Sequence, residues 1–327
     1  MSGRLTRELS SPEQDGHETG AENSPARSGK ILIGHPSIQG NSRLRDLLLR
    51  EQSFEEALGA TQVEPFTELD RQTFQRALLD VFVSMDREIA LHDHDPWINI
   101  YKVQDLLFQC WRGSAPRFDT GYIFTLNQDL WPERNLYNEK AHAAPKPSLP
   151  GLRGRPHPQF FSSVMDIGSH DLTMELVQDP AGQPLRGNFN IVKLHGSFNW
   201  RTAGPQSAMV VGTAKTKQIS ASPLLAWYFD IFKSVLSAGD ARLLIIGYGF
   251  GDEHVNAAIA DAVEHHGLRI FIWDAGPNLR GRALAAPHGA SVWRGLLSTA
   301  TRPLIEVFPS NQAETEEYRR IRQTCFG

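Results

Sequence analysis

Residues 242–274 constrain the fold more than any other part of the chain. Arg242 to Ile246 has the composition of a buried strand and runs into Gly-Tyr-Gly-Phe-Gly-Asp. Asp252 can cap a helix that follows, and Gly267 can end it. Leu268 to Trp273 has the pattern of a second strand. A strand, a helix and a strand within about thirty residues indicate a right-handed parallel crossover. The sequence therefore predicts an α/β fold with a doubly wound, Rossmann-like parallel sheet.

Three further segments predict strands, at Ile31–Ile33, Tyr122–Leu126 and Asn190–Leu194. Ligands of open parallel sheets bind beyond the carboxyl ends of the strands, where loops and helix N-termini meet. Polar or glycine residues follow each predicted strand, which makes this edge the expected site. These residues are Gly34 with Ser37, Asn127 with Asp129, His195 with Ser197, Gly247 through Asp252, and Asp274.

The remaining segments divide the chain. Residues 1–29 hold few apolar side chains, and we expect a disordered tail. Residues 30–327 are expected to form one domain, with a helical insertion over about 45–118 and a lid-like excursion over about 132–188. The insertion shows an apolar helical face, formed by Phe74, Leu78, Val81, Phe82, Met85 and Ile89. Residues 276–327 predict a last strand and a solvated helix near 314–322.

Composition excludes several classes of protein. The net charge of −4 gives no overall electrostatic footprint for nucleic acid. Two distant cysteines, Cys110 and Cys325, fit neither a disulfide framework nor a four-cysteine zinc site. No apolar run approaches the roughly 18 residues of a membrane span, and the polar N-terminus is not typical of a secretory signal. We expect a cytoplasmic protein.

Each polar residue at the sheet edge has a functional and a structural interpretation. His195 is suited to a general base because its ordinary pKa is near neutral, but most histidines are structural. Asn127 can hold a sugar hydroxyl or a water, and Asp129 an amide, although both residues also favour Asx turns. The glycines at 247–251 would let a ligand approach the backbone, or would serve a tight turn alone. Asp274 could bind a ribose or close a turn.

Three stretches taken together resemble the sirtuin family. Thr125-Leu126-Asn127-Gln128-Asp129 is similar to the sirtuin Thr-Gln-Asn-x-Asp motif, with Leu126 in place of Gln. Leu194-His195-Gly196-Ser197 matches the catalytic Leu-His-Gly-Ser. Leu244 to Asn256 resembles the Gly-Tyr-Ser-Phe-x-Asp stretch of bacterial sirtuin-like proteins from antiphage defence. The resemblance covers roughly residues 30–275, in the family's order.

The resemblance implies an NAD hydrolase that cleaves the nicotinamide–ribose bond, controlled by a protein partner or by self-assembly. It implies that Asn127 contacts the ribose and the attacking water, Asp129 holds the nicotinamide amide, and His195 is the base. Gly247 and Gly249 would line the adenosine side, and Asp274 would meet the adenosine ribose. The implied NAD-binding set comprises Gly34, Ser37, Thr125, Asn127, Asp129, Gly247, Gly249, Asp252 and Asp274.

The chain departs from the family pattern in two places. It lacks the zinc-ribbon cysteines, so we expect neither a metal nor protein deacetylation. The first loop reads Gly34-His35-Pro36-Ser37 where the family has a Gly-Ala-Gly-x-Ser type of sequence. Proline removes an amide donor and fixes a backbone angle, which disfavours a phosphate cradle. Gly40 and Asn41 could substitute.

Three functions remain open on the sequence alone. The first is the NAD glycohydrolase of an antiphage system. The second is an inactive module on the same fold that binds a nucleotide or a partner protein, which the altered first loop favours. The third is an unrelated dehydrogenase or transferase on a similar sheet.

Overall fold

The structure is a computed structural model, and it describes most of the chain with gaps. The described residues are 31–51, 54–91, 98–112, 121–136, 149–153, 174–176, 189–201, 209–212, 214–311 and 314–326. The tail expected over 1–29 and most of the excursion expected over 132–188 lie outside the described residues. None of the described helices is both long and apolar enough to cross a bilayer.

Two parallel strands form around the first two sirtuin-like motifs. Strand β1, Gly121–Thr125, pairs with strand β4, Phe189–Lys193, and Thr125 lies opposite Lys193. All five residues of β4 are buried, which is typical of a parallel strand covered on both faces. The predicted strands at 122–126 and 190–194 are confirmed.

The crossover predicted from residues 242–274 is also confirmed. Strands β6 (Arg242–Ile246) and β7 (Arg269–Trp273) pair in parallel, and the helix Glu253–His266 connects them along the chain. Gly267 ends that helix at φ 71°, a conformation that glycine adopts without strain. Strand β8, Leu296–Ala300, extends the sheet in parallel beyond β7 and confirms the predicted last strand.

The expectation that β6 is buried is only partly correct. Ile245 is buried, whereas Ile246 is 41 % exposed. Strand β6 pairs only with β7 among the described strands, so it lies at the edge of its three-stranded sheet. An apolar composition could not show this, because pairing partners are distant in sequence.

A small sheet and several helices complete the described structure. Strands β2 (Leu152–Arg153), β3 (Met174–Leu176) and β5 (Trp200–Arg201) form a short mixed sheet in that order. Helices flank the parallel sheets and establish the α/β, Rossmann-like class. Their bounds are Pro36–Gln39, Ser42–Arg50, Phe54–Ala60, Glu68–Leu91, Ile100–Arg112, Trp131–Leu136, Lys215–Ala221, Pro223–Leu236, Leu279–Ala285, Gly289–Arg294, Leu304–Val307 and Glu316–Phe326.

The helices between residues 36 and 91 pack around a core of their own. The predicted helical face lies on Glu68–Leu91, and its residues Phe74, Leu78, Val81 and Phe82 are buried. The Phe82 ring stacks on Phe198 with centroids 5.7 Å apart. This contact joins the helical core to the loop that follows β4.

The strand predicted at Ile31–Ile33 is wrong, because these residues are helical. Leu32 is buried in the helical core and Ile31 is 43 % exposed. A three-residue apolar run suits a buried helical turn as well as a strand, so its pattern alone could not decide. Residues 34–41, predicted as a loop, include the short helix Pro36–Gln39, which begins with proline at a favoured first-turn position.

The C-terminal helix is less solvated than the sequence predicts. Glu316–Phe326 buries Tyr318, Ile321 and Cys325. These side chains pack in one cluster with Phe271, Trp273 and Ala300 of the β7–β8 sheet. The apolar residues are spaced three and four apart, which places them on one helical face. The many charged residues between them concealed this pattern.

Candidate active site

The carboxyl ends of β1 and β4 bring two of the sequence-predicted residues into corresponding positions. Thr125 and Lys193 are paired, and the Leu194 amide donates to the Thr125 carbonyl at 2.9 Å. Asn127 and His195 each follow the paired position by two residues. Parallel strands end at the same edge of the sheet, so this register places both residues at one edge.

Asn127 and Asp129 are held differently in the loop after β1. The Asn127 side chain is exposed, and its backbone amide donates to the Thr125 hydroxyl at 3.1 Å. Asp129 Oδ1 accepts from the Trp131 amide at 2.9 Å, at the start of the helix Trp131–Leu136. Asp129 thus makes the Asx-type turn that was the structural interpretation of this motif. A ligand contact must use one of the carboxylate lone pairs that this bond leaves unused.

A buried ion pair holds the backbone of this loop in place. The Lys193 ammonium lies 2.9 Å from Glu133 Oε1, and the two side chains are 0 % and 1 % exposed. Lys193 also donates to the Asp129 carbonyl. Burial raises the pKa of the Glu133 carboxyl, and Lys193 opposes that effect. A lysine inside a strand therefore anchors the backbone of the Asn127–Asp129 motif.

The loop after β4 is tied to the same motif. The Ser197 hydroxyl and the Phe198 amide both donate to the Gln128 carbonyl, at 3.0 Å and 3.1 Å. The Gln128 side chain donates to the Val210 carbonyl, and the Val210 amide donates to the His195 carbonyl. These bonds hold the His195 backbone in place, and they give Ser197 a structural role.

His195 lies in a polar cluster that sequence spacing did not reveal. It is only 2 % exposed, and its Nε2 lies 3.3 Å from Nε2 of His254 and 4.0 Å from Asp252 Oδ1. The Lys215 ammonium pairs with Asp252 at 2.8 Å and with Glu55 at 2.7 Å. The cluster thus joins the end of β4, the helix after β6 and two further helices.

The surroundings keep both imidazoles neutral near pH 7. Burial lowers the pKa of His195 to about 4, with Asp252 opposing and Lys215 and His254 adding to the effect. Burial likewise lowers the pKa of His254. Burial also disfavours the charged form of Lys215. The bonds to Asp252 and Glu55 outweigh this effect and raise the pKa of the Lys215 ammonium. The result is an ion-paired lysine beside two neutral histidines.

The glycine segment after β6 leaves open space beside the backbone. Gly247 has φ 62°, and its amide donates to the Trp273 carbonyl at 2.9 Å. Side-chain carbons placed at 247, 249 and 251 would meet no described atom within 4 Å. The Tyr248 hydroxyl lies 2.9 Å from Asn256 Oδ1, and Asn256 donates to the Phe250 carbonyl at 2.8 Å. The segment is fixed by this network while one side remains accessible.

Asp252 and Asp274 both have protein partners. Asp252 stands at the N-cap position of Glu253–His266, but its carboxylate makes no capping bond and pairs with Lys215 instead. The prediction that Asp252 caps the helix through its side chain is therefore wrong, because a charged partner competes for it. Asp274 accepts from the Gly276 amide at 2.6 Å and pairs with Arg282 at 2.9 Å. The turn-closing interpretation of Asp274 thus has direct support.

The first loop is a mostly exposed helical turn that buries only Ile38 in the helical core. The amides of residues 35 and 37–41 all bond within residues 32–38, and that of Ser37 bonds to the His35 imidazole. Asn41 caps the helix Ser42–Arg50 and donates to Asp70 at 2.7 Å. Gly34 and Ser37 therefore belong to a self-contained helical turn rather than to a loop that follows a strand.

Sequence reasoning did not assign a role to three residues of the His195 cluster. His254 comes two residues after Asp252, and that spacing at a helix start was the available signal. Glu55 and Lys215 lie 160 residues apart in sequence, and no local pattern connects them. Only folding brings their charges together.

A family model described as "SIR2-like domain" matches residues 122–291, just over half of the 327 residues. The chain belongs to the SIR2-like domain family. The match begins in β1 and includes β4, His195, the glycine segment and β7. Membership supports a sirtuin-type, NAD-related function. No curated protein matches the chain.

Proposed function

We propose that this SIR2-like protein hydrolyses NAD at the nicotinamide–ribose bond. The observation that carries the proposal is the position of His195. It is a neutral, buried histidine at the end of β4, in register with the exposed Asn127 after β1. A general base must be unprotonated at working pH, and its burial protects that state.

Each residue has a task in the proposed reaction. Water adds to the ribose carbon as the bond to nicotinamide breaks, and positive charge develops on the ribose. The Asn127 amide, free to point into the site, orients the water and the ribose hydroxyls. His195 accepts the proton that the water loses. The second oxygen of Asp129 holds the nicotinamide amide, and Thr125 supports the Asn127 loop through its hydroxyl.

We assign the adenosine half of NAD to the glycine segment. The open space beside Gly247, Gly249 and Gly251 would let a nucleotide approach the backbone. Asp274 would contact the adenosine ribose only in competition with Gly276 and Arg282. Asp252 acts through the His195 cluster. Gly34 and Ser37 would contribute to NAD binding only after their helical turn reorganises.

We propose further that the activity is controlled, as expected of an antiphage effector acting on the cytoplasmic NAD pool. His195 Nε2 is in contact with His254 and nearly inaccessible to water. A base held in this way needs a rearrangement before it can serve. A protein partner or self-assembly could provide one, since an unrestrained NAD hydrolase would harm its host.

The experiment is nicotinamide release from NAD by wild type, Asn127→Ala and His195→Ala. We expect release by wild type, in the presence of its genomic neighbours if it is inactive alone, and its loss in both variants. His265→Ala is the matched control, because His265 is an exposed histidine of the helix that carries His254. Unchanged release in His195→Ala would contradict the proposed base.

A second candidate is an inactive module that binds a nucleotide or a partner. The satisfied amides of the first loop and the engaged carboxylates of Asp129 and Asp274 favour it. In that case NAD would raise the melting temperature of wild type and of His195→Ala equally, without nicotinamide release under any condition.

A further inference from the structure

The two histidines of the His195 cluster have the separation of ligands on one metal ion. Two nitrogens bound to a tetrahedral zinc at about 2.0–2.1 Å lie about 3.3–3.4 Å from each other. The Nε2 atoms of His195 and His254 are 3.3 Å apart. Ligand atoms of His195, His254 and Asp252 all lie within 4.8 Å of one another. Asp252 Oδ1 lies 4.0 Å from His195 Nε2, so the carboxylate must move closer to complete a three-ligand set.

The charges around the cluster favour a cation. Asp252 and Glu55 contribute two negative charges and Lys215 one positive charge. Lys215 contacts both carboxylates, so a metal can take an Asp252 oxygen while the ammonium keeps its bond to Glu55. Metal binding also requires an unprotonated ring nitrogen on each histidine, and the two Nε2 atoms already lie 3.3 Å apart.

The ligand types select the class of ion. Calcium and magnesium prefer sets made of oxygen atoms, whereas imidazole suits zinc, copper, iron and nickel. Two imidazoles and one carboxylate leave a fourth tetrahedral position for water. Two histidines and one carboxylate hold zinc or iron(II) in known metal sites, and the tetrahedral separation of the two nitrogens favours zinc.

We propose that His195, His254 and Asp252 form a binding site for a divalent transition-metal ion, with zinc as the preferred occupant. The bound ion occupies His195 Nε2 and so withholds this nitrogen from proton transfer. The binding site rests on the ligand geometry and the surrounding charges, and it does not depend on any catalytic activity. The inhibitory consequence rests on the proposed hydrolase function.

The first experiment measures binding without activity. Metal-free, tag-free full-length protein is titrated with Co²⁺, whose visible absorption intensifies in a tetrahedral nitrogen and oxygen site, and Zn²⁺ is then added to displace it. We expect one site per chain in wild type. His254→Gln should weaken binding at least about tenfold, by analogy with the loss seen when groups around a metal are removed.

His265→Gln is the control for adventitious binding. His265 pairs with Asp261 at 3.0 Å on the exposed end of the same helix, and so offers a histidine–carboxylate pair outside the cluster. Its affinity should equal that of wild type. Asp252→Asn replaces His254→Gln if the latter does not fold, as judged by circular dichroism. Equal binding by wild type and cluster variants, or no stoichiometric site in wild type, would overturn the proposal.

A second experiment separates the site from its consequence. Nicotinamide release is measured with zinc and again after a chelator is added, under the conditions that give an active protein. Inhibition that the chelator reverses supports the withholding of His195. Full activity of the zinc-loaded protein overturns the inhibitory role of the metal but does not affect the proposed metal-binding site. Absence of hydrolysis in every condition contradicts the proposed function, while the Co²⁺ titration still decides the site.

Discussion

Burial distinguishes His195 from the other described histidines. His35 and His254 are partly exposed, whereas His265, His266 and His288 are exposed. At the residue scale this makes His195 the described histidine whose protonation is most strongly coupled to folding. The cause is desolvation, which penalises the charged imidazole.

We expect the free energy of unfolding to fall as the pH drops from 7 to 4.5. The pKa of His195 is about 4 in the folded state and about 6.5 in the unfolded state, so only the unfolded state takes up this proton between those values. The stability is fully present above the unfolded pKa and is lost as the pH falls towards 4. The full loss amounts to about 3 kcal/mol. The lowered pKa of His254 adds to this loss of stability.

Urea unfolding of wild type and His195→Gln at pH 7 and pH 4.5 tests this dependence. His195→Gln should flatten it, whereas the exposed control His265→Gln should retain it. An identical pH dependence in wild type and His195→Gln would show that the loss of stability originates elsewhere.

The Lys193–Glu133 pair provides a second prediction at this scale. Lys193→Met leaves a buried carboxylate without its cation and should reduce the free energy of unfolding by about 3–5 kcal/mol. Lys193→Met with Glu133→Gln should recover much of that loss, because the charge is removed as well. Arg302→Met breaks an exposed pair and should cost less than about 1 kcal/mol. Chemical denaturation measures all four proteins, and equal losses for both lysine variants would refute the buried-charge explanation.

At the element scale, the turn from β6 to the helix Glu253–His266 depends on backbone conformation. Gly247 adopts φ 62°, whereas Gly249 lies outside the left-handed region. Both have open space where a side chain would start. Any loss of stability on substitution should therefore follow from φ rather than from a clash.

Gly247→Ala should lower the free energy of unfolding by about 1–2 kcal/mol, the cost of a left-handed conformation for an L-residue. Gly249→Ala should leave stability within about 0.5 kcal/mol. If the glycine segment binds the adenosine half of NAD, Gly249→Ala should still weaken NAD binding, measured by calorimetry. Unchanged NAD affinity in a folded Gly249→Ala would remove that assignment.

At the scale of the whole molecule, Phe198 joins two parts of the described structure. Its ring stacks on Phe82 in the helical core, and its amide bonds to Gln128 beside the candidate site. Phe198→Ala should cost about 3–5 kcal/mol through cavity formation. It should also reduce NAD hydrolysis, because the loop that carries His195 loses support.

Leu49→Ala is the control for Phe198→Ala, since Leu49 is 66 % exposed on the helix Ser42–Arg50. It should change stability by less than about 0.5 kcal/mol. Denaturation and nicotinamide release are measured on both variants. A Phe198→Ala protein as stable as Leu49→Ala would show that the helical core and the site are not coupled through this ring.

The strands of the parallel sheets were predictable because local pattern decides them. The runs at 122–126, 190–194 and 242–246 each end at a polar residue or glycine, and strand propensity and tertiary burial agree there. The run at 31–33 was not decidable, because three residues show neither a period of two nor one of 3.6. Leu32 of this run is buried in one cluster with Phe74 and other helical side chains, and this packing stabilises the helical conformation.

Local sequence patterns were sufficient for the α/β class and the crossover at 242–274, and three short motifs in the right order indicated the family, because each pattern involves residues that are close together in the chain. Tertiary structure alone decided what surrounds His195. Glu55, Lys215 and His254 come from separate segments, and their ion pairs and the 3.3 Å imidazole contact exist only after folding. The pKa of His195 depends on that environment, because burial and neighbouring charges act through space and not along the chain.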